Sequence, residues 1–313
     1  MSLIVAGATG AIGRCVVREA LRRAEFTQVV ALTRSSVGKT ITPGTTLTGI
    51  PSTTRRASAS DVEKLFGFKV SAEEGADLLT ATQLERLRLL TFDWELFCNF
   101  WAARRDKLAG GVVPTSQYVG GSYESAEVYY TEVFSGHKYA AMCLGTTRRD
   151  AGSAAAFERC DYEYVVNFAE ALEVFSGNTL STYAQVSSHG ANEKSWFLYM
   201  KTKGKADAAV EALQFPRICI YRPGVLDRGD KSRFNEKMIH LFTRGIPVEV
   251  CGRAIVSDFV HCGSKGSDSA PGTASWKCAG KEVKPALSNK AKSDAQVFVF
   301  SNDSIKIEAA GLV

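Results

Sequence analysis

The 313-residue sequence contains no apolar run of about 18 residues, the length that a membrane-spanning helix requires. Its amino terminus enters an apolar segment directly and lacks the basic region that opens a secretory signal peptide. None of its eight cysteines forms a Cys-x-x-Cys pair or has a histidine at zinc-ligand spacing. We therefore expect no membrane partner, no metal site and reduced, buried thiols, which together favour a cytoplasmic protein.

Neither sign of charge dominates the sequence. The 38 Lys and Arg residues and 33 Asp and Glu residues leave a formal net charge of only +5. This excess is too small to indicate nucleic acid as a partner, and it suits an anionic small molecule such as a phosphorylated cofactor. Apolar residues at 45% and charged residues at 23% are typical of a globular protein and exclude a disordered chain, a collagen-like fibre and a coiled coil.

The first 34 residues predict the start of a doubly wound sheet. Residues 3–6 are an apolar run typical of a buried strand, an apolar helical stripe occupies 12–24, and residues 29–33 form a second apolar run. Three glycines, Gly7, Gly10 and Gly13, separate the first strand from the helix. Strand, glycine turn, helix and strand together make an opening βαβ unit.

The rest of the sequence alternates between strand-like and helical segments. Strands are predicted at 87–92, 139–144, 183–188, 217–221 and 296–300, and helices at 162–171 and 196–213. Such alternation predicts an α/β fold, a doubly wound parallel sheet (Rossmann fold) with a small C-terminal substrate-side region and loop insertions. We expect a single NAD(P)-binding domain over residues 1–313, with insertions near 36–86, 104–125 and 263–290.

The glycine turn predicts a phosphate-binding site. Gly7 permits the tight turn, Gly10 lets the backbone approach a pyrophosphate, and Gly13 lets the helix pack on the strand. The unpaired N–H groups of the first helical turn would then bind the phosphates. The alternative is a structural glycine turn without a ligand, but three glycines in this register and context favour a dinucleotide.

The end of the second strand indicates which dinucleotide binds. An NAD site usually places an acid about 20 residues after the glycines, on the ribose hydroxyls. Here the strand ends in Arg34, and the first acid after it is Asp61. Arginine suits a 2′-phosphate through charge-assisted hydrogen bonds. The sequence therefore favours NADP(H), with an ordinary exposed arginine as the alternative.

A tyrosine and a lysine lie four residues apart in the predicted helix at 196–213. Tyr199 and Lys203 would therefore face the same side, where the lysine charge would lower the pKa of the phenol and assist proton transfer. The preceding strand ends in Ser187 and Ser188, and either hydroxyl could hold a substrate carbonyl. This combination predicts acid–base chemistry on a carbonyl or an alcohol.

These features resemble the short-chain dehydrogenase/reductase superfamily. More specifically, the strings Cys-Leu-Gly-Thr-Thr-Arg at 143–148, Phe-Leu-Tyr-x-x-x-Lys-Gly at 197–204 and Tyr-Arg-Pro-Gly-Val-Leu at 221–226 resemble its atypical, NmrA-like subgroup of HIV-Tat-interacting oxidoreductases. The similarity runs over about 1–34 and 139–245 and returns faintly near 300–305. The stretches read as insertions have no counterpart that can be placed.

The resemblance implies an NADPH-binding Rossmann fold and assigns further residues to it. It implies that the pyrophosphate contacts Thr9, Gly10, Ala11 and Ile12, that the 2′-phosphate contacts Arg34 and Ser35, and that the rest of the cofactor contacts Leu144, Gly145, Tyr199, Lys203, Leu226 and Arg233. The subgroup has a second arginine where Ser35 stands, so weaker phosphate binding is expected. Asp93 follows the third strand, where relatives often touch the adenine, and a helix cap is its alternative role.

Two functions of different class follow from these residues. The first is an NADPH-dependent oxidoreductase that reduces the carbonyl of a small molecule, with Tyr199 as proton donor. The alternative is an NADPH-binding regulatory protein, a redox sensor that acts on a protein partner, because members of the subgroup are described as regulators. The Tyr199 and Lys203 pair favours the enzyme, since a sensor does not need it.

Overall fold

The structure is a computed structural model that describes residues 1–34, 54–73, 75, 77–113, 118–228, 245–263, 277–284 and 295–312. Two of the predicted cofactor residues, Ser35 and Arg233, lie outside the described residues, as do 36–53 of the first expected insertion and most of the third.

The described strands are, in chain order, β1 (Ser2–Ala6), β2 (Gln28–Thr33), β3 (Arg55–Arg56), β4 (Lys69–Val70), β5 (Leu78–Leu79), β6 (Leu87–Thr91), β7 (Tyr139–Met142), β8 (Thr182–Val186), β9 (Arg217–Tyr221), β10 (Leu226–Asp227), β11 (Ile246–Pro247), β12 (Lys281–Val283) and β13 (Gln296–Phe300). The described α-helices are α1 (Ala11–Arg22), α2 (Ala59–Phe66), α3 (Ala81–Leu84), α4 (Trp94–Leu108), α5 (Tyr123–Phe134), α6 (Arg148–Ala151), α7 (Ala154–Glu158), α8 (Tyr164–Phe175), α9 (Leu198–Glu211), α10 (Val248–Gly263) and α11 (Asn302–Ala310).

Nine of the described strands form one central sheet in the order β12-β13-β9-β8-β7-β1-β2-β6-β3. The seven inner strands run parallel, and the edge strands β12 and β3 are antiparallel to their neighbours. From β1 the chain builds outward through β2 and β6, and it then returns to the other side of β1 with β7. This reversal confirms the predicted doubly wound α/β fold, and it opens a crevice at the carboxyl ends of β1 and β7.

Helices cover both faces of the sheet, and the inner strands are therefore apolar on both sides. Leu3 and Val5 point into the core shared with α1, α10 and α11, whereas Ile4 and Ala6 point into the core shared with α4, α5, α8 and α9. In the first core α10 packs so closely on α1 that a Cβ added to Gly252 would lie 2.5 Å from the Cys15 Cβ. Buried apolar contacts thus fix the sheet on which the crevice depends.

The described parts of two expected insertions contribute to the packing. In the first, α2 and β5 bury Val62, Phe66 and Leu79 in the core beside α1. A capping box starts α2, with the Ser58 hydroxyl accepting from the Asp61 backbone N–H. The second expected insertion overlaps the end of α4 and the beginning of α5, which the apolar pattern did not reveal.

Candidate functional site

The glycine turn brings three segments into contact at the crevice. Gly7 has a φ of +68°, and the Gly10 N–H donates to the Gly7 carbonyl at 2.9 Å. A Cβ on Gly7 would lie 2.5 Å from the Leu144 backbone nitrogen, and a Cβ on Gly13 would lie 2.1 Å from the Gly7 oxygen. Only glycine fits these two approaches, so the start of α1 is held directly against β1 and the segment after β7.

The first turn of α1 is suited to an anion. Its cap is Gly10, which is exposed and has no side chain to occupy the free N–H groups. The turn contains no acidic residue, so the positive end of the helix dipole is not neutralised from within the described turn. The N–H groups and the dipole together favour a bound phosphate.

A cavity of about 610 Å³ extends from this turn across the carboxyl ends of the strands. It brings together most of the predicted residues: Gly7, Thr9, Gly10, Ala11, Ile12, Arg34, Leu144, Gly145, Ser187, Ser188, Tyr199, Lys203 and Leu226. Gly13 is absent from this lining since it packs behind the turn on Gly7. One continuous cleft therefore joins the phosphate-binding turn to the tyrosine and the lysine.

Arg34 stands at one end of the cleft, directly after β2, and its side chain is exposed. Leu32, Trp94 and Tyr164 line the cleft with it. The rings of Trp94 and Tyr164 stack at 5.1 Å between centroids. This end therefore combines apolar and aromatic walls with one cationic side chain.

Tyr199 and Lys203 lie on the first two turns of α9, as their spacing predicted. The Tyr199 side chain is half-exposed, and its ring stacks on Phe157 at 5.7 Å between centroids. Lys203 is buried, and its Nζ lies 2.8 Å from the Asp161 Oδ1. Burial by itself would lower the pKa of Lys203, but attraction to Asp161 and Tyr199 outweighs it and raises the pKa above its usual value. Lys203 is therefore charged at neutral pH.

Asp161 is a site residue that the sequence did not reveal. It lies in a π-helical turn, Arg159–Glu163, that precedes α8, and its side chain is fully buried. Its Oδ2 accepts from the Thr146 backbone N–H at 2.9 Å, which ties it to the segment after β7. A Cβ on Gly145 would lie 3.2 Å from the Lys203 Nζ and 3.3 Å from the Asp161 Oδ1, so glycine there leaves room for the ion pair.

The two candidate serines have different surroundings. The Ser187 hydroxyl is buried and donates to the Asp207 carboxylate at 2.9 Å, while Arg222 and Gln185 donate to the same carboxylate. The Ser188 hydroxyl is half-buried and points towards the His189 carbonyl at a long 3.4 Å. The Ser187 hydrogen is therefore used in a buried hydrogen bond to Asp207, whereas the Ser188 hydrogen is available to a ligand.

Asp93 has the helix-cap role. Its Oδ1 accepts from the backbone N–H groups of Glu95 and Leu96 at 2.9 and 3.0 Å, at the start of α4. The cleft lining does not include it. The position of Asp93 therefore favours the helix cap over a contact with the adenine.

Two curated proteins are similar to parts of the chain. Over 147 residues it is 37% identical to "Protein HTATIP2" of Rattus norvegicus, covering 43% of this chain and 59% of that protein. Over 83 residues it is 44% identical to "Protein FMP52, mitochondrial" of Debaryomyces hansenii, covering 26% of this chain and 35% of that protein. These matches confirm the predicted resemblance to atypical short-chain dehydrogenase/reductases. The chain matches less than two thirds of the length of either relative.

Comparison with solved structures gives more distant matches. A short-chain dehydrogenase from Burkholderia cenocepacia J2315, solved in complex with NADP, is 14% identical with a TM-score of 0.45, covering 83% of this chain and 84% of that chain. No family model matches the sequence. Among the described helices, none is long and apolar enough to cross a membrane.

Proposed function

We propose that the protein is an NADPH-dependent oxidoreductase that reduces the carbonyl group of a small molecule. The observation that carries this proposal is the single cleft that runs from the glycine turn to Tyr199 and Lys203. A phosphate site and an acid–base pair at opposite parts of one cleft suit a cofactor and a substrate bound side by side. We also propose that residues 1–313 act as one domain. The cytoplasmic location of the protein stays a prediction.

The cleft fits a dinucleotide. The exposed turn at Gly10 would hold the pyrophosphate on the N–H groups of α1, while Leu144 and Gly145 would lie along its other side. At the far end, the rings of Trp94 and Tyr164 and the side chain of Leu32 offer apolar walls for an adenine. Arg34 stands where it would bind a 2′-phosphate, which is why NADPH is proposed rather than NADH.

Tyr199 is the proposed proton donor, and Lys203 is its charged neighbour. The Lys203 ammonium has three N–H groups, and its Nζ forms an ion pair with the Asp161 Oδ1 at 2.8 Å. These N–H groups can serve the Tyr199 oxygen and the ribose hydroxyls of a cofactor. The positive charge stabilises the phenolate that remains when Tyr199 gives its proton to the substrate oxygen.

Ser188 is the proposed residue that orients the substrate carbonyl. A carbonyl oxygen accepts hydrogen bonds, so its partner must have a hydrogen to donate. The Ser187 hydrogen is used by Asp207, whereas the Ser188 hydroxyl makes one long contact. When bound, the nicotinamide supplies a hydride to the carbonyl carbon, and with the proton from Tyr199 the product is an alcohol.

A titration and a substrate panel test this function. NADPH and NADH binding is measured by calorimetry, and NADPH oxidation is followed by absorbance with a panel of aldehydes and ketones. The proposal expects tighter binding of NADPH and turnover of at least one carbonyl compound. Tight NADPH binding without turnover of any carbonyl would instead favour the regulatory alternative, while absence of binding would contradict both.

A further inference from the structure

Three exposed apolar residues flank Tyr199 in the chain where α9 begins, and we call them the patch. Trp196 is 100% exposed, Phe197 is 72% exposed and Met200 is 37% exposed. Single exposed apolar residues are common, but three beside one proton donor form a patch of the kind that marks binding sites. The patch is not needed to hold α9, because Ala206 and Val210 anchor that helix in the core.

The patch lies beside the reactive end of the cleft. The Tyr199 ring lines the cleft and stacks on Phe157, while Trp196, Phe197 and Met200, its neighbours in the chain, lie outside the cleft lining. Met200 reaches the loop after the strand β8, since a Cβ on Gly190 would lie 3.5 Å from the Met200 Sδ. A substrate whose carbonyl oxygen contacts Tyr199 would therefore have its remaining atoms next to this patch.

The lining of the cleft also includes apolar side chains. Val186, Val225 and Leu226 line the cleft together with Tyr199. An alkyl or aryl group that extends from a carbonyl at Tyr199 would be covered by these side chains within the cleft and by the patch outside it. A strongly polar group in the same place would lose water without gaining hydrogen-bond partners from these apolar side chains.

We propose that Trp196, Phe197 and Met200 bind the apolar part of the substrate, and that the substrate is a carbonyl compound with a long alkyl or an aryl group. This inference rests on the proposed reductase function. The patch offers roughly 450 Å², taking an aromatic side chain as about 150–250 Å². A stable protein interface needs about 800 Å² from each partner, so the patch fits a small molecule better than a protein.

A homologous series of aldehydes tests the substrate class by kinetics. With NADPH saturating, kcat/KM is measured for the linear aldehydes from propanal to heptanal. In the wild type we expect kcat/KM to rise about two- to fourfold for each added methylene, since each buried methylene favours binding. Trp196→Ala combined with Phe197→Ala should reduce the heptanal-to-propanal ratio at least tenfold. Ile307→Ala is the matched control, because Ile307 is 67% exposed on α11 and is not part of the cleft lining.

A binding measurement tests the patch without turnover. Octanamide carries a carbonyl and an alkyl chain but is not reduced, and it is titrated into the NADPH-loaded protein. The tryptophan fluorescence of the Trp196→Phe variant is subtracted from that of the wild type, and the difference is the emission of Trp196. We expect octanamide to shift that emission to shorter wavelength, because the fully exposed indole becomes covered, and acetamide to leave it unchanged.

The two measurements separate the inference from the function on which it rests. Aldehyde reduction with the same dependence on chain length in the wild type and the double variant would overturn the substrate class and leave the reductase function standing. An octanamide shift with no aldehyde or ketone reduced would support the apolar site and reject the reductase function. Equal responses of Trp196 to octanamide and acetamide would overturn the inference.

Discussion

The Nζ of Lys203 lies 2.8 Å from the Oδ1 of Asp161, and both side chains are buried. This ion pair links α9 to the π-helical turn before α8, directly below the segment at Gly145. It keeps the lysine charged in a place where burial would otherwise favour the neutral amine. Asp161 is therefore a positioning residue for Lys203, and several expected outcomes depend on the pair.

Asp161→Asn removes the negative charge and keeps a side chain that can accept from the Thr146 backbone. We expect a loss of about 3–5 kcal/mol in the free energy of unfolding at neutral pH, because a buried charge loses its partner. Since the pKa of folded Lys203 then falls, the deficit relative to wild type should shrink as the pH rises towards the ordinary lysine pKa of 10.5. Urea unfolding at several pH values measures this, with Asp93→Asn as control. A deficit that does not change with pH would contradict the role of charge.

Arg34→Asp tests the choice of cofactor. A charge-assisted contact with phosphate contributes about 1.5–3 kcal/mol, so NADPH affinity should fall by about one to two decades while NADH affinity is spared. The absence of a second arginine at Ser35 makes the lower end the expected one. Calorimetry measures both cofactors, and equal affinity of the wild type for NADPH and NADH would reject the assignment.

Ser187→Ala should lower stability, whereas Ser188→Ala should lower activity. Loss of the Ser187 hydroxyl removes one donor from the buried Asp207 carboxylate and should cost about 1–3 kcal/mol of stability. Ser188→Ala should leave stability unchanged and lower kcat/KM for a reduced carbonyl. Thermal unfolding and kinetics of both variants are compared. A reversed pattern would assign the substrate contact to Ser187.

Glu308, which is not among the residues that line the cleft, makes stability depend on pH. Burial is the largest influence on its pKa and raises it from 4.5 to about 7. The Ala279 N–H and the Ser257 hydroxyl donate to its carboxylate and oppose this rise without cancelling it. Folded Glu308 thus keeps a proton that the unfolded chain has already released. Its contribution should make the free energy of unfolding fall as the pH rises from about 4.5 to about 7. Glu308→Gln should flatten this fall, and an unchanged slope in urea titrations would show that other groups cause it.

The sequence predicted the parts of the molecule that depend on local pattern. Buried parallel strands are apolar throughout, so the sequence predicted β1, β2, β6, β7, β8, β9 and β13 to within two residues at their ends. The glycine turn and the Tyr199–Lys203 pair were found because their spacing follows directly from a turn and a helix.

Other features depend on contacts that spacing does not encode. Asp161 reaches Lys203 through a π-helical turn, and the sequence pattern shows neither that turn nor the pairing. The choice between Ser187 and Ser188 depends on which hydroxyl meets Asp207. The helices α4 and α5 have aromatic residues on several sides, as Phe97, Phe100 and Trp101 illustrate, so no single apolar stripe marked them.

Tyr199 is the proposed proton donor, and the turnover of Tyr199→Phe tests this role most directly. The substitution removes the hydroxyl and keeps the ring on Phe157, so fold and NADPH affinity should be retained. With a carbonyl compound that the wild type reduces, kcat should fall by about 10²–10⁴-fold. A Tyr199→Phe variant that binds NADPH and keeps the wild-type kcat would contradict the account.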